Sequence, residues 1–203
     1  MLISLNCSSF VAKQHGYPTD NDWGACVGAV NNFYSPVETF GERFEQLIVD
    51  AKALGYTAID VWTPGQLSWR WATSEHIQIA NDLLAKHNIQ VTSLGGSFGQ
   101  THDELIAACE LAVGINTRLL SGTVKALFSD RKFLIQMLEK YDLRLAIENH
   151  PEKSAQEMLD QIGDTGNGRI GTAVDTGWYA THGLNAVEAI RVLGQHVFHI
   201  HLK

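Results

Sequence analysis

Short apolar runs alternate with longer stretches whose apolar residues recur at helical spacing. Leu2–Leu5 is the first run, and a polar, Gly-containing stretch over about residues 11–35 reads as a loop after it. Ser35-Pro36-Val37-Glu38 opens a helix. Ser35 is the expected N-cap, Pro36 takes the first turn, where an N–H is not needed, and Glu38 completes a capping box. This helix is expected to reach Leu54 and stop at Gly55. The pattern then predicts strands at Ala58–Trp62, Gln90–Leu94, Thr117–Leu120, Leu143–Glu148, Ile170–Asp175 and Val197–Leu202. Helices are predicted between them at 74–87, 101–114, 129–141, 154–162 and 185–193, with Thr73 or Ser74 and Ser129 among their caps. Gly163, Gly166 and Gly168 lie before a strand and read as a turn.

Strict alternation of strand and helix calls for a parallel sheet covered by helices. An open doubly wound sheet and a (β/α)8 TIM barrel both satisfy it. No G-x-G-x-x-G follows the first strand, which weighs against the dinucleotide-binding version of the open sheet. The expectation is a (β/α)8 barrel, a single domain over residues 1–203, cut short after its seventh strand. An unclosed barrel exposes two strand edges, so the chain is expected to continue into a longer protein or to be covered by a partner, a homo-oligomer included.

Side chains alternate faces along a strand. In 143–148, Arg144, Ala146 and Glu148 then point into the barrel, and in 170–175 Gly171, Ala173 and Asp175 share one face. In 197–202, Val197, His199 and His201 are expected inside, with Phe198, Ile200 and Leu202 outside. Three successive strands therefore end in the inward polar groups Glu148, Asp175 and His201, on the face where barrel enzymes build their sites. Buried carboxylates need a compensating charge. Two of them beside an imidazole are most simply satisfied by one divalent metal ion, with Mn2+, Mg2+, Co2+ and Zn2+ all compatible with mixed O/N ligands. Each residue also has a plainer reading: Glu148 in a salt bridge with Arg144, Asp175 as a helix cap, His201 as a hydrogen-bonded core residue.

Charge and cysteine content narrow the function. With 15 Lys and Arg against 22 Asp and Glu the net charge is −7, which disfavours nucleic acid as a partner. No apolar run approaches the roughly 18–20 residues of a membrane span, and the apolar start at Met1–Leu5 lacks a cationic lead, so neither a membrane nor a signal peptide is expected. Cys7, Cys26 and Cys109 form no CxxC or disulfide pattern and suit buried thiols in a cytoplasmic protein.

The segments Ala146-Ile147-Glu148-Asn149-His150, Val174-Asp175-Thr176-Gly177-Trp178 and His199-Ile200-His201-Leu202-Lys203, in this order, resemble the sugar phosphate isomerase/epimerase family of xylose-isomerase-like TIM barrels. The resemblance implies that Glu148, Asp175 and His201 ligate one divalent metal, and that a further Glu ligand would come from an eighth strand. It implies a small carbohydrate substrate (a sugar, sugar phosphate or polyol) and an isomerase, epimerase or dehydratase. Glu148 would act in proton abstraction beside a carbonyl. Several epimerases of the family carry a substrate-binding His three residues after the Asp; here that position is Trp178, with His182 nearby. Further substrate contacts are expected from His150, Trp62 and Lys203, from the long loop with Tyr17, Trp23, Phe33 and Tyr34, and from Trp69 and Trp71. Gly95–Gly99 offers N–H groups to a phosphate, or is simply a turn. The alternatives are a truncated, non-catalytic barrel serving as a binding or partner subunit, and a metal nuclease of the AP endonuclease branch.

Overall fold

Side-chain caps fix where most of the helices begin. Thr73, Thr101 and Ser154 each accept from a backbone N–H three residues on, and His76, Glu104 and Glu157 reach back to complete capping boxes. In the computed structural model, which describes residues 2–17, 22–151 and 154–203, seven strands alternate with these helices. The strands are β1 (Leu5–Asn6), β2 (Ala58–Thr63), β3 (Gln90–Ser97), β4 (Leu119–Thr123), β5 (Arg144–Glu148), β6 (Ile170–Asp175) and β7 (Val197–His201). The helices are α1 (Trp23–Tyr34), α2 (Val37–Ala53), α3 (Ser74–His87), α4 (His102–Gly114), α5 (Ala126–Ser129), α6 (Arg131–Lys140), α7 (Ala155–Ile162), α8 (Thr176–Thr181) and α9 (Ala186–Leu193). No helix among the described residues is long and apolar enough to cross a membrane.

All strands are parallel and pair in chain order from β1 to β7, giving a half-barrel with helices outside. Two rows of paired residues show how its faces differ. Val61, Leu94, Leu120, Leu145 and Ile170 pair across five strands, are fully buried, and form the layer beneath the helices. α2 meets this core with Phe40, Phe44, Leu47, Ile48 and Ala51, an i, i+4, i+7, i+8, i+11 stripe. On the other face Trp62, Gly95, Ser121, Ala146 and Gly171 pair in a row. Beyond Trp62 that row is all small side chains.

Several local expectations are corrected. The 11–35 stretch is largely helical: Asp22 caps the N–H of Ala25 at 2.9 Å and α1 follows; residues 18–21 lie outside the described residues. The first strand is Leu5–Asn6, not Leu2–Leu5. Pro36, not Ser35, stands at the N-cap of α2, with no side-chain cap bond. Asp130 rather than Ser129 caps α6. The β6–β7 register shifts between Thr172 and Ala173, so Thr172 faces Val197 and Ala173 faces His199. The extra residue, Phe198, turns its ring onto Gly171 and beneath the Arg144 guanidinium, 3.4 Å from the ring centroid. Phe198 therefore joins the barrel side and Val197 the helix side, the reverse of simple alternation. In the Gly95–Gly99 segment, residues 95–97 belong to β3 and the Phe98 N–H donates to Thr123 O.

Gly122 tests the close packing of β3 on β4. Its φ is +148°, and a Cβ there would collide with the Gly96 carbonyl. Gly122→Ala should cost about 2–4 kcal/mol, whereas Gly168→Ala, at φ +80° in open space, should cost about 1–2 kcal/mol. Urea denaturation of the two variants reads the difference.

Candidate metal centre

β5, β6 and β7 end side by side, and each delivers one polar side chain to the same point. Ligand atoms of Glu148, Asp175 and His201 all lie within 4.8 Å of one another. His201 Nδ1 is 2.8 Å from Glu148 Oε1 and 3.9 Å from Asp175 Oδ2.

Asp175 is 1% exposed and divides its carboxylate between two tasks. Oδ1 accepts from the N–H groups of Gly177 (2.9 Å) and Trp178 (3.1 Å), capping α8. Its backbone is clamped by Asn149, whose Oδ1 accepts from Asp175 N–H at 2.7 Å while its Nδ2 donates to Asp175 O at 3.2 Å. Oδ2 is buried and accepts no hydrogen bond; Lys203 Nζ makes an ion-pair contact with it at 3.2 Å. A buried carboxylate oxygen without a donor, beside a second carboxylate and an imidazole nitrogen, fits a divalent cation with mixed O/N ligands. Asp175 is thus both the helix cap of the plain reading and a candidate ligand. Arg144 stacks on Phe198, and no salt bridge between it and Glu148 is found among the described residues.

A family model, xylose isomerase-like TIM barrel, matches residues 48–203. The chain belongs to that family. Solved structures carry the same fold. An uncharacterised protein from Parabacteroides distasonis is 18% identical with a TM-score of 0.64, covering 82% of this chain and 72% of its own. D-psicose 3-epimerase from Clostridium cellulolyticum, solved with D-tagatose, is 15% identical with a TM-score of 0.62, covering 78% and 67%. A probable 3-DHS dehydratase of petrobactin synthesis from Bacillus anthracis is 14% identical with a TM-score of 0.61, covering 99% and 72%. At these identities the likeness is one of fold. No curated protein matches the sequence.

Around the centre of this xylose isomerase-like barrel the other expected contacts are unequally placed. Lys203 reaches Asp175, and its own N–H donates to Thr176 Oγ1 at 3.0 Å. His150 and Trp178 meet edge to face, ring centroids 4.3 Å apart, and Trp178 is tied to Asp175 through its N–H. Trp62 contacts Trp23 at 5.7 Å on the β2 side. His182 is exposed at the end of α8. No hydrogen bond, ion pair or ring contact joins Trp62 to the three-residue cluster among the described residues. The cysteines are free and buried, and burial pushes the Cys7 thiol up and that of Cys109 up to about 12.

Two polar residues were not singled out from the sequence. Ser121, on the small-residue row, is buried and its hydroxyl finds no partner among the described residues. Asp60 is buried on β2 and accepts from Ser4 (2.9 Å), Ser93 (2.9 Å) and Thr92. Its other neighbour is His199 Nε2 at 3.3 Å. The signal for Asp60 was available: a lone acid within an otherwise apolar strand.

Burial pushes the Asp60 carboxyl up, but the hydrogen bond and charge of His199, then the Thr92 and Ser4 hydroxyls, outweigh it and hold the group below its ordinary value. The folded value thus lies under the unfolded one of about 3.9. Asp60 contributes fully above that pH, and its contribution is lost as pH falls through the folded value. Acid titration of thermal stability below about pH 4 should show a shallower slope in Asp60→Asn than in the parent; identical slopes would contradict this.

Proposed function

We propose that this chain is a divalent-metal-dependent isomerase, epimerase or dehydratase that removes a proton next to a carbonyl of a sugar, sugar phosphate or polyol. The observation that carries the proposal is the convergence of Glu148, His201 and the donor-free Asp175 Oδ2 at the C-terminal end of the sheet. Membership of the xylose isomerase-like family supports it. So does the likeness to a ketose epimerase and a dehydratase, since epimerisation and dehydration can both start from that proton transfer.

Glu148, Asp175 and His201 would hold the metal. When bound, the cation would polarise the substrate carbonyl and stabilise the negative charge that develops on its oxygen. Asp175 is the fixed member, since α8 and Asn149 leave its Oδ2 only one direction. Glu148 is the most accessible, its side chain 25% exposed against 1% for Asp175 and 11% for His201. A base needs to reach the substrate carbon, so Glu148 is the residue that takes the proton. Lys203, already beside Asp175, supplies positive charge for an anionic substrate group. The His150–Trp178 pair offers an aromatic edge to the C–H face of a sugar.

Metal analysis should find a single divalent ion per chain after loading with Mn2+. His201→Ala should weaken binding by more than the roughly 10–100-fold lost when only an outer partner is removed. Glu148→Gln should slow exchange of substrate hydrogen with solvent deuterium in a ketose such as D-tagatose by about 10²–10⁴-fold. Unchanged metal content in both variants would refute the ligand assignment.

A further inference from the structure

The sheet has two register shifts among its described strands, one between Ile59 and Asp60 and the other between Thr172 and Ala173. Both lead to one contact. The first leaves Thr92 as an extra residue on β3, and its hydroxyl turns to Asp60. The second adds Phe198 on β7 and brings His199 to the inner face. Asp60 Oδ2 and His199 Nε2 then meet at 3.3 Å, although 139 residues separate them. Bulges interrupt a ladder to re-aim a side chain, and they gather beside active sites.

The pair lies where the sheet has least support. β7 is hydrogen-bonded to β6 on one side only. Asp60 also accepts from Ser4, just before β1, and from Ser93 on β3. The contact therefore ties β7 to the opposite end of the sheet through the barrel interior. Stability alone gives little reason for it, since a buried ion pair is often no better than apolar residues of the same volume. The His199 ring stands at 86° to that of His201, centroids 5.1 Å apart, and His201 Nδ1 is the atom facing Glu148.

We propose that Asp60 and His199 are positioning residues for the metal centre: their contact fixes His199, whose ring sets the plane of the His201 imidazole. The proposal rests on the metal-dependent reading above. With three hydroxyls holding the carboxylate, His199 has a rigid anchor. With His199 anchored, rotation of His201 away from Glu148 and Asp175 is blocked on one side. Partners outside the ligand shell commonly orient a metal-binding His through a hydrogen bond; here the orienting contact is ring edge on ring face.

The test uses the full chain and two readouts. Co2+ titration followed by visible absorption reports affinity and ligand geometry. Nitrogen-15 imidazole spectra of the metal-free protein report His201 without any metal. His199→Leu and Asp60→Asn should each weaken Co2+ binding by about 10–100-fold and change the shape of the cobalt spectrum. The double variant should be no worse than either single one, because one contact is lost in each case. His199→Gln keeps a side-chain donor for Asp60 but loses the ring that packs on His201, so it should restore stability without restoring the affinity. In metal-free Asp60→Asn the His201 ring signals should move along with those of His199. A lowered melting temperature with unchanged cobalt spectrum and unmoved His201 signals would overturn the proposal and leave a structural pair. If His199→Leu does not fold, Asp60→Asn and His199→Gln are judged by the same two readouts. Absence of Co2+ binding by the parent chain would refute the metal-dependent reading, while the His201 signals would still decide whether the brace acts.

Discussion

A carboxylate sealed in a protein interior must find positive charge or donors for both oxygens, and Asp175 finds donors for only one. Its Oδ1 is satisfied by the start of α8, and its backbone is held by Asn149. Its Oδ2 faces Glu148 and His201 with a single lysine ammonium nearby. Lys203 is more than half exposed, so its ammonium compensates that atom only in part. That requirement accounts for the local design: β6 stops where α8 begins, β7 stops level with it at His201, and β5 stops at Glu148, paired with Ala173. Two acids and an imidazole at such close quarters offer a cation three ligand atoms.

The rest of the half-barrel serves that point. Apolar rows under the helices hold the strands in register, while the inner row of Gly95, Ser121, Ala146 and Gly171 stays small. Among these, Gly171 admits the Phe198 ring. The capping boxes of α3, α4 and α7 set the starts of the outer helices, so the loops carrying Trp69, Phe98 and His150 leave the sheet at defined places. Asp60 and His199 bring β2 and β7 together across the interior.

Much of this was legible in the residue pattern. Alternation along 143–148 and 170–175 placed Glu148 and Asp175 on one face, and His201 followed from the same rule. The cap residues Thr73, Thr101, Ser154 and Asn185 match helices predicted from period alone. The misses have physical causes. α1 carries Gly24 and Gly28 and depends on tertiary packing of Cys26, Val30 and Tyr34 rather than on helix propensity. α8 has only 6 residues and exists through the Asp175 cap. Period-2 reading failed at Val197 and Phe198 because a bulge resets the alternation, and a single strand's pattern does not show that Gly171 leaves room for a ring on its neighbour. Ser121 and Asp60 were passed over because their meaning lies in what they face across the barrel.

The central claim is that one cation is held jointly by β5, β6 and β7. A crystal of the chain grown with Mn2+ and measured at the manganese absorption edge tests it most directly. The account predicts one anomalous peak about 2.0–2.3 Å from a Glu148 oxygen, Asp175 Oδ2 and a His201 nitrogen. A peak elsewhere, or none while Lys203 stays seated on Asp175, would contradict it.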